Sequence, residues 1–218
     1  MSAGEAAGGA PGTGRLTRKQ QQAHTRSCLL RSATRVLTRR GMHRASIDEI
    51  AQDAGFTKGA FYANFKSKEE LFLAMLDERF AARLAELDRV LDTDASVEDQ
   101  AQNAGMDFVR AIQGEQEWGR LFFEFAVHAS RDEEFRAEFT TRVRALRHRI
   151  ALRLEERLEG LDWTPPISPE EAARLTFAMA NGVALENLID PGSVSPELNG
   201  TMLTAFFVGL RAASTPSS

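Results

Sequence analysis

Hydrophobic residues recur at helical spacing along most of this chain. Near its start, one apolar stripe consists of Leu29, Ala33, Val36 and Leu37. The spacing predicts a first helix from about Thr17 to Arg40, and Gly41 directly after it is a typical helix stop. Residues 12–164 contain no proline, and Ala, Leu, Arg and Glu dominate them. The pattern therefore predicts an all-α fold.

Polar capping residues mark the starts of the helices that follow. Ser46 with Glu49 and Ser67 with Glu70 have the spacing of a capping box, which satisfies the first backbone N–H groups of a helix. Further caps are predicted at Thr57, Ser96, Ser168 and Ser195. These signals predict about nine helices, at residues 17–40, 46–54, 57–65, 67–91, 96–113, 116–130, 132–160, 168–190 and 195–213.

The charge of the chain is divided between two parts. The formal net charge is -4 at pH 7, yet residues 15–68 carry 12 Lys and Arg against 3 Asp and Glu. Residues 69–218 are acidic, with 15 Lys and Arg against 27 Asp and Glu. A basic part of this kind is typical of proteins that face a polyanion. We expect disordered tails at 1–14 and 214–218, a nucleic-acid-binding domain at 15–68 and a second helical domain at 69–213.

Composition also argues against several classes of protein. Cys28 is the only cysteine, which excludes an internal disulfide and any zinc site built from several cysteines. No window of about 18 apolar residues is present, as a membrane span would require. Motifs of zinc proteases and serine hydrolases do not occur. We therefore expect a cytoplasmic protein that is not an enzyme and holds no metal or cofactor.

The stretch GFTKGAFYANFKSKEELF, residues 55–72, contains a helical face that core packing does not explain. On a helical wheel Phe61 and Phe65 point to one side. Lys58, Gly59 and Tyr62 point to the other. Glycine inside a helix costs about 1 kcal/mol relative to alanine, so Gly59 indicates close approach of another molecule. A shallow, cationic face fits the major groove of duplex DNA, which is about 12 Å wide.

The helices around this face have the layout of a helix-turn-helix. A short capped helix stops at Gly55 and a second short helix follows, the arrangement in which the second helix reads base edges. Lys66 and Lys68 lie beside the N-terminus of the fourth helix, and Ser46 lies at that of the second, where free N–H groups favour a phosphate. The sequence thus predicts binding of double-stranded DNA.

Residues 45–72, ASIDEIAQDAGFTKGAFYANFKSKEELF, resemble the DNA-binding signature of the TetR family of transcriptional regulators. The resemblance covers about residues 25–75. It implies an N-terminal three-helix helix-turn-helix domain followed by a helical ligand-binding and dimerisation domain. By this resemblance Lys58, Gly59 and Tyr62 fall on the recognition helix. The positions that commonly touch the DNA backbone in the family are Ser46, Thr57, Asn64 and Lys68.

The same resemblance implies a mode of action. A homodimer would bind an inverted-repeat operator near the nucleoid, and an unidentified small-molecule effector in the second domain would control it. Repression is the family's usual outcome, and the sequence leaves activation open. The chain departs from the family pattern at Ala63 and Asn64, where many relatives have a histidine or a tyrosine.

Aromatic and polar side chains of the second domain are candidates for the effector site. The aromatic candidates are Trp118, Phe122, Phe125, Phe139 and Phe177, although a stripe of this kind is equally typical of plain core. Asn181 lies among apolar neighbours and suits either a ligand contact or a contact across a dimer. His128 follows Glu124 by one helical turn, which is typical of a surface contact as well as of a site.

The last two predicted helices are apolar over most of their circumference, so each needs cover on two sides. We predict that a second copy of the chain supplies this cover in a four-helix bundle. The candidate contacts are Met179, Val183, Leu188, Met202, Phe206 and Leu210. The alternative is a helical scaffold that binds only protein. It explains the apolar helices but leaves the divided charge and the face around Gly59 without a cause.

Overall fold

The computed structural model describes residues 17–158 and 163–216. Within these ranges the chain forms nine helices and one pair of two-residue strands: α1 Arg18–Arg40, α2 Ile47–Asp53, α3 Lys58–Tyr62, α4 Lys68–Leu91, α5 Val97–Gly114, α6 Gln116–Ala129, α7 Glu133–Leu158, β1 Trp163–Thr164, α8 Pro169–Ile189, α9 Pro196–Ala212 and β2 Thr215–Pro216. The predicted all-α fold is confirmed. Every helix in this part of the chain is too short or too polar to cross a lipid bilayer.

Side-chain caps fix most helix starts at the predicted residues. In seven helices the hydroxyl of the N-cap residue accepts a hydrogen bond from a backbone N–H of the first turn. These N-cap residues are Thr17, Ser46, Thr57, Ser67, Ser96, Ser168 and Ser195. Gly41 ends α1 with φ at 73°, and Gly55 turns the chain from α2 to α3 with φ at 77°. Both angles lie in the left-handed region that glycine adopts without a steric penalty. Local signals therefore position the helix-turn-helix.

The third helix is shorter than the predicted span of 57–65. Regular helix covers Lys58–Tyr62 alone, which is five residues. Backbone hydrogen bonds continue beyond it, from Ala63 N to Gly59 O and from Phe65 N to Phe61 O. The chain therefore keeps helix-like pairing up to Phe65 although the regular helix ends earlier.

The segment after α9 differs from the tail predicted at 214–218. Thr215 and Pro216 pair in antiparallel register with Thr164 and Trp163 respectively. This pairing returns the end of the chain to the connection between α7 and α8. A strand of two residues is too short to show hydrophobic alternation, so periodicity could not predict this pairing. The tail predicted at 1–14 lies outside the described residues.

One apolar core joins the basic part of the chain to the acidic part. It contains Leu29, Ile50 and Phe61 from the first three helices, Leu71 and Phe72 from α4, and Leu121, Phe125 and Phe135 from α6 and α7. The ring of Phe72 stacks on that of Phe125 and lies 6.3 Å from that of Phe135. The helix α4 therefore belongs to both parts, and the predicted domain boundary at residue 69 falls in its first turn.

The helices α5 and α9 cross with their backbones in contact. A Cβ atom on Gly105 would lie 2.8 Å from Asn199 O and from Gly200 Cα, and one on Gly200 would lie 2.8 Å from Gln102 O. Asn199 Nδ2 also donates a hydrogen bond to Gly105 O at 2.6 Å. Because any larger residue would force the helices apart, the two glycines fix α9 against α5.

Candidate functional site

The helix α3 presents a polar face to solvent and an apolar face to the core. Phe61 is fully buried and Phe65 is nearly so, whereas the side chain next to them, Tyr62, is 51% exposed. Lys58 and Gly59 are exposed on the same side as Tyr62. The face that the helical wheel separates from the phenylalanines is therefore the face that is open to a partner.

Packing within the chain does not require a glycine at position 59. Among the described residues, a Cβ atom on Gly59 would meet the Thr57 Oγ1 atom alone, at 3.7 Å, which is ordinary van der Waals contact. Its φ angle also lies outside the left-handed region. The fold would accept alanine here, so the absence of a side chain leaves room for a molecule outside the chain.

An ion pair links this face to the first turn of α2. Lys58 Nζ lies 3.0 Å from Asp48 Oδ2, and each side chain is 54% exposed. The hydrogen bond to the Asp48 carboxylate raises the pKa of the Lys58 ammonium, and the charge of the carboxylate raises it further. The pair orients the lysine, and it also holds a negative charge beside a face that is predicted to meet phosphates.

Three other predicted DNA contacts are exposed around α3. Ser46 and Thr57 are exposed N-caps whose hydroxyl oxygens accept the N–H groups of Glu49 and Ala60. The caps use the hydroxyl oxygen and leave its hydrogen able to donate to a phosphate oxygen. Lys66 is exposed at the turn before α4. These three side chains and the face of α3 lie on exposed surface of the helix-turn-helix and the turn that follows it.

Two predicted backbone contacts are engaged inside the protein instead. Lys68 Nζ donates hydrogen bonds to Met42 O at 3.0 Å and to Ala45 O at 2.8 Å. Asn64 is half-buried, and its Nδ2 atom donates to Ala60 O at 2.8 Å. Lys68 therefore ties the start of α4 to the turn between α1 and α2, and Asn64 closes the turn after α3. Their contacts to DNA stay a prediction.

Asp53 connects α1 to the end of α2. Its carboxylate accepts hydrogen bonds from Ser32 Oγ at 2.9 Å, Arg35 Nε at 3.0 Å and Arg39 Nη2 at 3.1 Å. These bonds hold the pKa of the Asp53 carboxyl below its usual value, and the bond from Ser32 has the largest effect. Sequence reasoning missed this network, because its members lie 14 to 21 positions from Asp53 and follow no local motif.

A cavity of about 300 Å³ lies in the acidic part, between α4 and the helices α5 to α9. Along α4 its wall runs from Arg79 to Leu91, a length of about 18 Å at 1.5 Å a residue. Most of the lining is apolar and includes Leu84, Leu87, Ile112, Ile150 and Leu154. The volume is at the lower end of the range for ligand pockets, about 300 to 1,000 Å³.

The predicted effector contacts divide between the cavity and the core. Four of them line the cavity: Trp118, Phe122, Phe177 and Asn181. The other three lie outside the lining of this cavity. Phe125 is fully buried against Phe72, Phe139 is buried with its ring 6.0 Å from that of Phe135, and the ring of His128 lies 5.0 Å from the same phenylalanine. Among the described residues, no three His, Cys, Asp or Glu side chains are grouped to hold a metal ion.

Two arginines of α4 place charge in the cavity wall. Arg79 forms an ion pair with Glu115, and Arg83 Nη1 lies 2.6 Å from Glu86 Oε2. Burial lowers the pKa of the Arg79 guanidinium, and the positive charge of Arg83 lowers it further. Sequence reasoning missed both residues. The available signal was their spacing of four, which places them on the same helix face as Leu87.

Two segments of the chain match known protein families. Residues 29–75 match the family model of bacterial regulatory proteins, tetR family, and residues 97–211 match that of the BetI-type transcriptional repressor, C-terminal. The second match alone covers more than half of the chain. The chain belongs to the TetR family.

Individual relatives of this TetR-family protein agree with that assignment. It is 34% identical over 118 residues to the HTH-type transcriptional activator FasR of Mycolicibacterium smegmatis, a match that covers 54% of this chain and 52% of FasR. The chain thus spans about half the length of that relative.

Solved structures share the fold. A TetR-family regulator of Mesorhizobium loti superposes with a TM-score of 0.73 at 18% identity, covering 91% of this chain and 99% of the other. FadR of Bacillus subtilis, solved in complex with stearoyl-CoA, gives a TM-score of 0.69 at 14% identity and covers 84% and 97%. At these identities the likeness shows the fold alone.

In this TetR-family chain, α6 joins the cavity to the DNA-binding part. Trp118 and Phe122 of α6 line the cavity. On the same helix, the Arg120 guanidinium donates a hydrogen bond to Thr38 O near the end of α1. Glu124 Oε2 accepts the backbone N–H of Met42 at 3.0 Å, just beyond that end. A shift of α6 would therefore change both the cavity and the contacts to the end of α1.

The predicted dimer contacts point partly into the subunit. Val183 is buried within the subunit, and Met179 and Met202 line the cavity. The remaining three, Leu188, Phe206 and Leu210, are half-buried. The apolar circumference of α8 and α9 is thus shared between an inward face and an outer one.

The outer faces of the last two helices carry exposed stripes at a different set of positions. On α8 the stripe consists of Leu175, Ala178, Gly182, Leu185 and Ile189, and on α9 of Leu198, Thr201, Ala205, Val208 and Ala212. Both follow the alternating spacing of three and four that is typical of a helix-packing seam. A Cβ atom on Gly182 would meet no described atom within 4 Å, so nothing in the subunit covers that point.

Proposed function

We propose that the protein is a DNA-binding transcription regulator that inserts α3 into the major groove. The observation that carries the proposal is the outer face of α3. There exposed Lys58 and Tyr62 flank Gly59, which is open to contact from outside. The surrounding residues 15–68 carry 12 Lys and Arg against 3 Asp and Glu, which suits a phosphate-lined groove. The place of action is the cytoplasm, at the nucleoid, because the partner is duplex DNA.

Side chains around α3 take different roles in this proposal. Tyr62 packs its ring on sugar and reaches phosphate with its hydroxyl, and Lys58 reads base edges once Asp48 has oriented it. Ser46, Thr57 and Lys66 bind phosphates around the groove. Lys68 and Asn64 act from inside, where they hold the turns of the helix-turn-helix in place.

Selection of bound fragments from random duplex DNA, followed by fluorescence anisotropy, tests this proposal. Lys58→Ala should lose about 1–3 kcal/mol of operator affinity for every base contact removed. Tyr62→Ala should weaken binding to operator and to unrelated duplex alike, because its contacts are to sugar and phosphate. Arg136→Ala is the matched control, because Arg136 is an exposed arginine of α7 paired with Glu133 in the acidic part. Failure to retain any duplex at low ionic strength would overturn the proposal.

The proposed regulator is a homodimer that binds an inverted repeat. A second copy covers the exposed stripes of α8 and α9, so that two helices from each subunit form a four-helix bundle. The open space at Gly182 supports this arrangement, because small residues let packed helices approach closely. Half-site centres should lie about 34 Å apart, or at a longer spacing that this dimer sets.

A small-molecule effector in the cavity controls DNA binding in this proposal, and repression is the outcome. The support comes from α6, which lines the cavity and also binds the end of α1. FadR of Bacillus subtilis, a protein of the same fold, was solved with stearoyl-CoA. An effector shifts operator binding only by its differential affinity for two states, and a hundredfold shift needs about 2.7 kcal/mol.

A further inference from the structure

In each of the two ion pairs at one end of the cavity, the arginine is more buried than the glutamate. The side chain of Arg79 is 17% exposed against 47% for Glu115, and that of Arg83 is 19% exposed against 41% for Glu86. The arginines therefore form the inner wall and the glutamates lie towards the rim. A molecule inside the cavity would meet guanidinium groups in surroundings where water competes weakly for them.

The guanidinium of Arg79 is not fully satisfied by its own chain. Within the described residues, its buried Nε atom has no hydrogen-bond partner. A guanidinium has five N–H donors in a planar fork that matches two oxygens of a carboxylate or phosphate. A buried donor without a partner is unfavourable, so a second anion at this position would be stabilised.

Other charged groups of the lining are already engaged. Arg157 donates hydrogen bonds to Gln100 Oε1 at 2.7 Å and to Ala95 O at 2.8 Å. Asp107 is paired with Arg110 at 3.0 Å. Between the arginine pair and Leu91, the wall along α4 is contributed mainly by aliphatic side chains. The cavity therefore has one end lined by two ion-paired arginines, and a long apolar body.

We propose that the effector is an amphipathic anion, with its acidic head on Arg79 and Arg83 and a single aliphatic chain along α4. The inference rests on the proposed function, since it names the chemistry of the effector. A carboxylate or a phosphate would satisfy the guanidinium fork, and the apolar wall would take the chain. A cationic head of the same size would be repelled by both arginines.

The position of Glu115 couples this head group to DNA binding. Glu115 is the N-cap residue directly before α6, and its side chain makes no capping hydrogen bond. Its ion pair with Arg79 ties the start of α6 to α4. An anion that takes Arg79 competes with Glu115 and releases the start of α6. The same helix binds the end of α1 through Arg120 and Glu124, so its release changes the placement of the DNA-binding part.

Isothermal titration calorimetry of the full chain without DNA tests the inference. The probes share one chain length and differ in the head: dodecanoate, dodecanol and dodecyltrimethylammonium, each below its micelle concentration. Dodecanoate or dodecanoyl-CoA should bind at least about tenfold more tightly than the neutral and cationic probes. A comparison of the affinities for dodecanoate, for dodecanoyl-CoA and for coenzyme A without an acyl chain distinguishes a free carboxylate head from a phosphate-bearing head.

Variants separate charge recognition from damage to the fold. Arg79→Gln should weaken binding of the anionic probe about tenfold, while Arg136→Gln on the surface of α7 should leave it unchanged. Glu115→Gln should tighten binding several-fold because it removes the competing carboxylate, and a merely destabilised protein would not show that gain. Equal affinity for all three heads, or an Arg79→Gln variant that binds as wild type does, would overturn the inference.

Failure of this inference is distinguishable from failure of the proposed function. Operator binding is measured separately, by anisotropy in the absence of any amphiphile. A chain that binds its operator but shows no preference for the anionic probe overturns the effector assignment alone. A chain that binds the anion but retains no duplex overturns the proposed function and leaves the cavity assignment standing.

Discussion

The basic and acidic parts of the molecule differ in how much apolar surface they leave exposed. Within residues 17–91, Tyr62 is the only large apolar or aromatic side chain that is exposed. The last two helices, in contrast, expose Leu175, Leu185, Ile189, Leu198 and Val208. The acidic part also encloses the cavity of about 300 Å³. The basic part leaves little apolar surface exposed, whereas the acidic part leaves apolar surface both in its cavity and on its outer helices.

The difference assigns a task to each part. The basic part is cross-linked by polar contacts such as the Asp53 network and the Lys68 bonds, which keep the helix-turn-helix in one shape. Reading a groove requires a fixed shape. The acidic part has incomplete packing that a ligand or a second subunit can complete, and its α6 is hydrogen-bonded to the end of α1. Substitutions that close or open these surfaces test the comparison directly.

The largest expected effect is on the outer stripe of α8. Leu185→Asp places a charge at the centre of the proposed seam, where a partner subunit would have to desolvate it. We expect the dimer to dissociate and operator affinity to fall at least about a hundredfold, since one half-site alone binds weakly. Analytical ultracentrifugation and fluorescence anisotropy measure the two effects.

Leu152→Asp is the matched control for that change. Leu152 and Leu185 are both 42% exposed, but Leu152 lies on α7, outside the two stripes. It should leave the chain dimeric and able to bind DNA. A dimeric Leu185→Asp variant would mean that the exposed apolar surface of α8 has a different cause.

A smaller effect is expected where α5 and α9 touch. Gly105→Ala would put a Cβ atom 2.8 Å from backbone atoms of α9, so the helices must separate. We expect a loss of about 2 kcal/mol in the free energy of unfolding. Gly119→Ala is the control, because a Cβ atom there meets no described atom within 4 Å and should stabilise the helix by about 0.5–1 kcal/mol. Thermal and urea unfolding followed by circular dichroism would show opposite shifts for the two variants.

Local chemistry made most of the fold predictable from the sequence. Helix starts are set by hydroxyl caps such as Ser46 and Ser168, and stops are set by glycines such as Gly41, all of which act within one turn. The face of α3 was also predictable, because the helical wheel separates Lys58 and Tyr62 from the buried phenylalanines. These features depend on neighbours that are close in sequence.

Features that depend on distant neighbours were not predictable in the same way. Lys68 was expected to face phosphate, but its ammonium bonds to carbonyls 23 and 26 residues away. On α8, apolar residues occupy both faces, so periodicity could not tell inward Val183 from outward Leu185. Which side faces the cavity is decided by how the helices pack against one another, and no single helix encodes it.

The Asp53 network should make the basic part sensitive to acid. Hydrogen bonds hold the folded-state pKa of Asp53 below 3.8, its usual value. Its contribution to stability is therefore complete above about pH 4 and is lost as pH falls through the lower folded-state pKa. Asp53→Asn should reduce stability by about 1 kcal/mol at neutral pH. The difference in the free energy of unfolding between Asp53→Asn and the wild type should become smaller below pH 4.

Urea unfolding at neutral and acidic pH measures that difference. Asp107→Asn is a suitable control, because Asp107 forms its ion pair with Arg110 in the acidic part, where both side chains are well exposed. It should change stability by a few tenths of a kcal/mol at most. A difference for Asp53→Asn that stays constant down to pH 3 would show that the carboxylate does not carry the stabilisation.

The smallest expected effect concerns the negative charge beside α3. Asp48→Asn removes the partner of Lys58 and takes a carboxylate away from the surface that is proposed to meet phosphates. Affinity for unrelated duplex DNA should rise about threefold at low salt, and the gain should fade as salt screens the charge. Because the freed lysine is less well oriented, operator affinity should rise less, so the ratio of specific to nonspecific binding should fall. Anisotropy titrations with operator and scrambled duplex measure that ratio. An unchanged ratio together with unchanged nonspecific affinity would place Asp48 and Lys58 away from the DNA. The exposed face of α3 would then have no role in DNA binding, which is the function that distinguishes the basic part from the acidic part in this proposal.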